Sequence, residues 1–126
     1  MAVILVVEDE LLLRAMVESI LQDAEHQTVS AASAAEAILL LQSDRKIDVL
    51  FTDLGLGDGL SGGIQLAVAA RQLRPQLSVL YTTGQRVSGD MTTALVEPHE
   101  FLEKPYAADQ LSAALDNSLR QGRALS

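Results

Sequence analysis

The sequence predicts an α/β fold, a doubly wound five-stranded parallel sheet in the order 2-1-3-4-5 with helices on both faces. Three observations predict it. Strand-like and helix-like stretches alternate five times along the chain. Three of the strand-like runs, Val3 to Val7, Ile47 to Thr52 and Leu77 to Thr82, are almost continuously apolar, as strands buried on both faces of a parallel sheet are. The other two, His26 to Ala31 and Glu100 to Glu103, are polar or short, which assigns them to the edges of the sheet.

The elements follow in order. After Val3 to Val7, apolar residues return at helical spacing between Glu10 and Ala24 (Leu13, Val17, Ile20, Leu21), and Asp9 can cap that helix. His26 to Ala31 alternates as a partly exposed edge strand does. Ser33, with Glu36 three residues on, has the capping-box pattern and opens a second helix carrying Ile38, Leu39 and Leu41. Ile47 to Thr52 is the third strand. Five glycines between residues 55 and 63 (Gly55, Gly57, Gly59, Gly62, Gly63) mark a loop. A helix with Ile64, Leu66, Ala67, Ala70 and Leu73 follows, stopped by Pro75. Leu77 to Thr82 is the fourth strand. Gly84, Gly89 and Pro98 then leave room for only a short helix around Met91 to Val96. The edge strand Glu100 to Glu103 precedes a last helix from about Ala107 to Gln121, with Leu111, Leu115 and Leu119 on one stripe.

Composition narrows the function. The 126 residues suit one domain, expected over 1–122 with a short tail at 123–126. A net charge of −8 excludes a basic nucleic-acid surface. There is no cysteine, which removes disulfides and thiolate metal sites. No leader-like segment or apolar run of membrane length is present, so a cytoplasmic protein without membrane contact is expected.

Four strands end in polar residues of different kinds, and a parallel sheet brings those ends to one edge. They are Glu8 and Asp9, Asp53, Thr83, and Lys104 followed by Pro105. The order 2-1-3-4-5 reverses direction between the first and third strands, so a crevice opens where Asp9 and Asp53 lie. Glu8, Asp9 and Asp53 brought together repel one another unless a cation compensates, and hard carboxylate oxygens suit Mg²⁺. Lys104 can meet a phosphoryl oxygen as a point charge, or simply protect an edge strand from pairing. Thr83 can donate its hydroxyl to the same group, or bond its own loop.

These pieces, VVEDE (residues 6 to 10), LFTDL (50 to 54), VLYTTG (79 to 84) and FLEKPY (101 to 106), resemble the receiver domain of two-component response regulators over nearly the whole chain. The resemblance implies a flavodoxin-like fold and phosphorylation of Asp53. It also implies Mg²⁺ held by Glu8, Asp9, Asp53 and the backbone carbonyl of Gly55. Lys104 would pair with the phosphoryl group and Thr83 would be the switch hydroxyl. Phe101, three places before the lysine, would be the aromatic that turns inward with it; edge-strand packing is the other reading of Phe101. The implied partners are a sensor histidine kinase or a histidine phosphotransfer protein, and a downstream protein the sequence does not name. The implied role is a phosphoacceptor that assists its own phosphorylation and dephosphorylation, not an enzyme acting on a separate substrate. The sequence departs from the family at Gly57, where many receivers have proline, in a loop that looks one residue longer.

Two other readings use the same topology. A pseudo-receiver would keep the fold as a protein-interaction module without phosphorylation. A flavodoxin-like cofactor binder would need a phosphate loop after the first strand and stacking aromatics, and the chain offers VVEDE and 3% aromatics instead. The chain reads as a single-domain response regulator or as a receiver cut from a longer protein.

Overall fold

The computed structural model describes residues 2–54, 61–83, 100–104 and 106–125. In chain order the described elements are β1 (Val3–Val7), α1 (Leu11–Asp23), β2 (Gln27–Ala31), α2 (Ala34–Gln42), β3 (Val49–Asp53), α3 (Ser61–Leu73), β4 (Ser78–Thr83), β5 (Glu100–Glu103) and α4 (Ala108–Leu125). The five strands form one sheet in the order β2-β1-β3-β4-β5, and every neighbouring pair is parallel. This is the architecture the sequence predicts. The short helix expected around Met91 to Val96 lies outside the described residues.

Strand alternation divides the core in two. Leu5, Val7, Leu50, Val79 and Tyr81 face α2 and α3, meeting Ala37, Leu41, Leu66, Ala67 and Ala70. Ile4, Val6, Val49, Phe51 and Leu80 face α1 and α4, meeting Val17, Leu21, Leu111, Ala114 and Leu115. Both faces of the central strands are therefore dry, which accounts for their unbroken apolar runs.

Several expectations shift. β3 and β4 begin later than the apolar runs suggest and reach one residue further, so Asp53 and Thr83 are themselves the last strand residues. The start of β3 is fixed by Asp48, whose N–H donates to Val3 O and whose carboxylate accepts from Val3 N at 2.8 Å. Asp9 does not cap α1. Glu10 is the N-cap, in extended conformation and without a side-chain cap bond, because Glu8 N–H still pairs with Ala31 O and prolongs the ladder by a residue. The Glu8 carboxylate takes over part of the capping work by accepting from Glu10 N at 3.2 Å.

Ser33 does cap α2, its hydroxyl accepting from Glu36 N. Glu36 returns its carboxylate to Ala32 N, one residue before the reciprocal partner a capping box uses. Of the apolar positions on α2, Leu39 is 69% exposed, and the buried stripe runs through Ala37 and Leu41. Gly62 and Gly63 belong to the first turn of α3 and not to the preceding loop. α1 ends with Glu25 at φ 69°, His26 N donating to Leu21 O and Glu25 N to Gln22 O, a left-handed stop built without glycine.

Candidate functional site

The strand ends predicted to converge do so at the C-terminal edge of β1, β3, β4 and β5. Glu8, one residue past β1, is 3% exposed. Its position is locked from three sides: its N–H on Ala31 O, its carboxylate on Glu10 N, and its carbonyl accepting from Arg14 Nη1 at 2.9 Å. Burial pushes the Glu8 carboxyl up to about 7. The Asp53 charge and a hydrogen bond with Asp9 add to this, while the Glu10 N–H and the Lys104 charge oppose it. The shift is first of all the cost of holding a charged carboxylate away from water.

Asp53 closes β3 in register with Thr82 of β4. Lys104 follows β5, its N–H donating to Thr83 O at 2.8 Å, which carries the β4–β5 ladder one step past the strand. From there its ammonium lies 2.5 Å from Asp53 Oδ2 and 3.6 Å from Glu8 Oε2. Burial acts to lower the Lys104 pKa, but the hydrogen bond and charge of Asp53, joined by Glu8, outweigh it and leave it raised. The lysine is thus firmly cationic, and it joins two carboxylates from different strands.

Thr83 is buried at the end of β4. Strand alternation puts it on the α2/α3 face with Phe101, which is partly buried against that core cluster. The expected hydroxyl and aromatic therefore share a face on adjacent strands. Asp9 is exposed in the turn after Glu8. The Gly55 carbonyl, along with Gly57 and Pro105, lies outside the described residues.

Three site neighbours escape a reading of strand ends. Tyr106 packs on the α1/α4 face, and burial pushes its phenol up to about 12, helped by the charges of Glu8 and Asp53. An aromatic two places past the lysine was the available signal. Arg14, one turn into α1, was visible only as a basic residue near an acid pair. Gly63 was read as a loop residue. It is where α3 meets the backbone of β3: a Cβ there would overlap the Asp53 carbonyl oxygen and come within 2.8 Å of Leu54 Cα. Gly63 N–H donates to Leu54 O at 3.3 Å, so the start of α3 is tied to the end of β3.

The donor set suits a hard divalent cation. Glu8 and Asp53 are hard carboxylate donors brought together at one edge, where they already share the Lys104 ammonium. Among the described residues no three His, Cys, Asp or Glu side chains form a ready-made metal cage. A Mg²⁺ ion keeps several waters and needs only one or two carboxylates from the protein. No helix among the described residues is long and apolar enough to cross a membrane.

Comparison with known proteins gives a consistent result. Residues 4–116 match the family model of the response regulator receiver domain. The chain is 30% identical over 123 residues to the transcriptional regulatory protein PhoP of Escherichia coli O157:H7, covering 97% of this chain and 54% of PhoP. It is 27% identical over 120 residues to the nitrogen assimilation regulatory protein NtrX of Azorhizobium caulinodans, covering 92% of this chain and 26% of NtrX. The chain thus spans about half the length of the first of these relatives and about a quarter of the second. Among solved structures, a response regulator receiver protein from Sinorhizobium medicae superposes with a TM-score of 0.85 at 30% identity, covering 96% of each chain.

Proposed function

Since the chain belongs to the receiver domain family of two-component response regulators, we propose that it is a Mg²⁺-dependent phosphoacceptor whose acceptor is Asp53. The observation that carries this is the Lys104 ammonium held on Asp53 and facing the buried Glu8, a cationic bridge at the mouth of a parallel sheet. Phosphoryl transfer needs in-line positioning and neutralised charge more than a strong nucleophile. Asp53, fixed at the end of β3, presents its carboxylate to a phosphohistidine of a sensor kinase or histidine phosphotransfer protein. A carboxylate oxygen forms the new P–O bond as the P–N bond breaks, and the electron pair leaves with the imidazole nitrogen, which takes up a proton. Lys104 then pairs with a phosphoryl oxygen, and the Thr83 hydroxyl bonds another. Phe101, on the Thr83 face, is the side chain whose packing follows that movement. Glu8 and Asp9, with Asp53 and the Gly55 carbonyl, would hold the Mg²⁺, which when bound neutralises charge on the transferring group.

The same site would assist hydrolysis of the acyl phosphate, so the chain sets its own signal lifetime without acting on a separate substrate. Its downstream partner would be a protein, and its compartment the cytoplasm. Incubation with acetyl phosphate and Mg²⁺, followed by intact-mass measurement, tests the reading. A gain of one phosphoryl mass that is lost in Asp53→Asn is expected; no gain, or a gain that survives the substitution, overturns it. No gain of mass would leave the pseudo-receiver reading, in which the same fold serves as a protein-interaction module without phosphorylation.

A further inference from the structure

Thr82 carries the one buried hydroxyl among the described residues for which no hydrogen-bond partner is found, although the residue is fully buried. Thr52, which pairs with Tyr81 on the opposite face of the sheet, satisfies its own hydroxyl on the Asp53 carbonyl at 3.3 Å. Native proteins pair nearly all buried hydroxyls, so one left unpaired calls for a physical explanation.

The surroundings of Thr82 indicate one. It is the register partner of Asp53 across β3–β4 and of Leu102 across β4–β5. Alternation places it on the α1/α4 face with Leu80, the face that also carries Phe51, Leu102 and Tyr106. Asp53 follows Phe51 by two residues and Lys104 follows Leu102 by two, so both share that face. β4 lies between β3 and β5. To reach Asp53, the Lys104 side chain must therefore cross β4, a span of two strand spacings or about 10 Å. Thr82 lies on the strand it crosses and on the side it crosses. The ammonium has three protons to donate; one is on Asp53 and another faces Glu8 at 3.6 Å.

We propose that Thr82 is a positioning residue for Lys104. Its hydroxyl oxygen accepts a hydrogen bond from the ammonium once the ammonium leaves the Asp53 carboxylate for the phosphoryl oxygens. The unpaired hydroxyl of the resting state is the vacant half of that bond. Thr82 is distinct from Thr83, which lies on the opposite face and serves the switch. This inference rests on the phosphoacceptor reading above.

The test uses beryllofluoride with Mg²⁺ as a non-covalent phosphoryl mimic, its affinity measured by calorimetry beside the thermal midpoint without ligand. Thr82→Val keeps the shape and removes the hydroxyl; Thr82→Ser keeps the hydroxyl. Thr82→Val is expected to melt at or above the wild-type temperature, since it removes an unpaired group. It is expected to bind the mimic about tenfold more weakly, the worth of a modest hydrogen bond to a charged donor. Thr82→Ser should stay within about twofold of wild type. Equal affinity in Thr82→Val overturns the inference, and so does a lower melting temperature, which would mean the hydroxyl is already paired at rest. If wild type itself takes up no beryllofluoride, the phosphoacceptor reading falls and this inference with it. Binding by wild type with no effect of Thr82→Val removes this inference alone.

Discussion

Lys104 reaches from β5 across β4 to lie 2.5 Å from Asp53 Oδ2 on β3. The pair lies at the C-terminal edge of the sheet, and Glu8 stands 3.6 Å from the same ammonium. Three strands therefore meet in one charged contact. With its side chain 24% exposed, the lysine is sheltered enough for the contact to matter and open enough for the ammonium to move.

Lys104→Met keeps the stem and removes the charge. Phosphorylation of Asp53 by acetyl phosphate should slow about 10- to 100-fold, the range for losing one charged hydrogen bond in the transition state. Circular dichroism should show the fold intact, since β5 is held by its own ladder to β4. A rate within twofold of wild type would mean that Lys104 serves only to protect the edge strand.

Gly63→Ala tests the contact between α3 and β3. The added Cβ overlaps the Asp53 carbonyl oxygen, and backbone on both sides must give way. A loss of about 1–3 kcal/mol in urea denaturation is expected, the cost of overpacking a tight contact. Because the displaced backbone is that of Asp53, phosphorylation should fall by more than the unfolded fraction explains. Stability loss with an unchanged rate in the folded fraction would limit Gly63 to a packing role.

These residues also show what the sequence made legible. Asp53, Thr83 and Lys104 could be found because apolar runs ending in polar residues report strand ends, and a parallel sheet gathers such ends at one edge. Edge and centre could be told apart because β2 and β5 lack the unbroken apolar runs of strands covered on both faces. Gly63 could not be found, since what it contributes is missing volume, and five nearby glycines gave the same loop signal. Asp9 was misplaced as a cap because a cap is a contest among neighbours, and the Glu8 carboxylate reached the Glu10 N–H. The buried face of α2 could not be read, because the helix is apolar nearly all round and spacing alone does not select its buried stripe. Thr82 left no signal: a β-branched residue in a strand is the ordinary case.

Glu25 offers a test independent of the site. It sits at φ 69°, closing α1 in a conformation that costs a residue with a Cβ about 1–2 kcal/mol. Glu25→Gly should relieve that strain, partly offset by greater freedom of the unfolded chain, for a net gain of about 0.5–1 kcal/mol. The shift in urea midpoint measures it. The phosphorylation rate should not change, since α1 ends at the opposite edge of the sheet from Asp53. A loss of stability would mean that the Glu25 side chain makes a contribution larger than its backbone strain.

Glu8 sets the pH response. Its carboxyl is raised from 4.5 to about 7, first by burial, so the folded protein holds this proton more tightly than the unfolded chain does. Stability from this group is therefore full below about pH 4.5 and is lost as pH rises toward about 7. The shift corresponds to a change on the order of 3 kcal/mol across that window. A Mg²⁺ taking the Glu8 carboxylate acts in the other direction, since it binds the deprotonated form and competes with the proton. Without Mg²⁺, the urea midpoint should fall between about pH 5 and about pH 8; with millimolar Mg²⁺ the fall should shrink, and the stabilisation by the ion should grow with pH. Glu8→Gln should flatten the metal-free profile, because the amide has no proton to lose, and should weaken the effect of Mg²⁺. A wild-type midpoint that rises over this range without metal, or a Glu8→Gln profile identical to wild type, would show that another group governs the response.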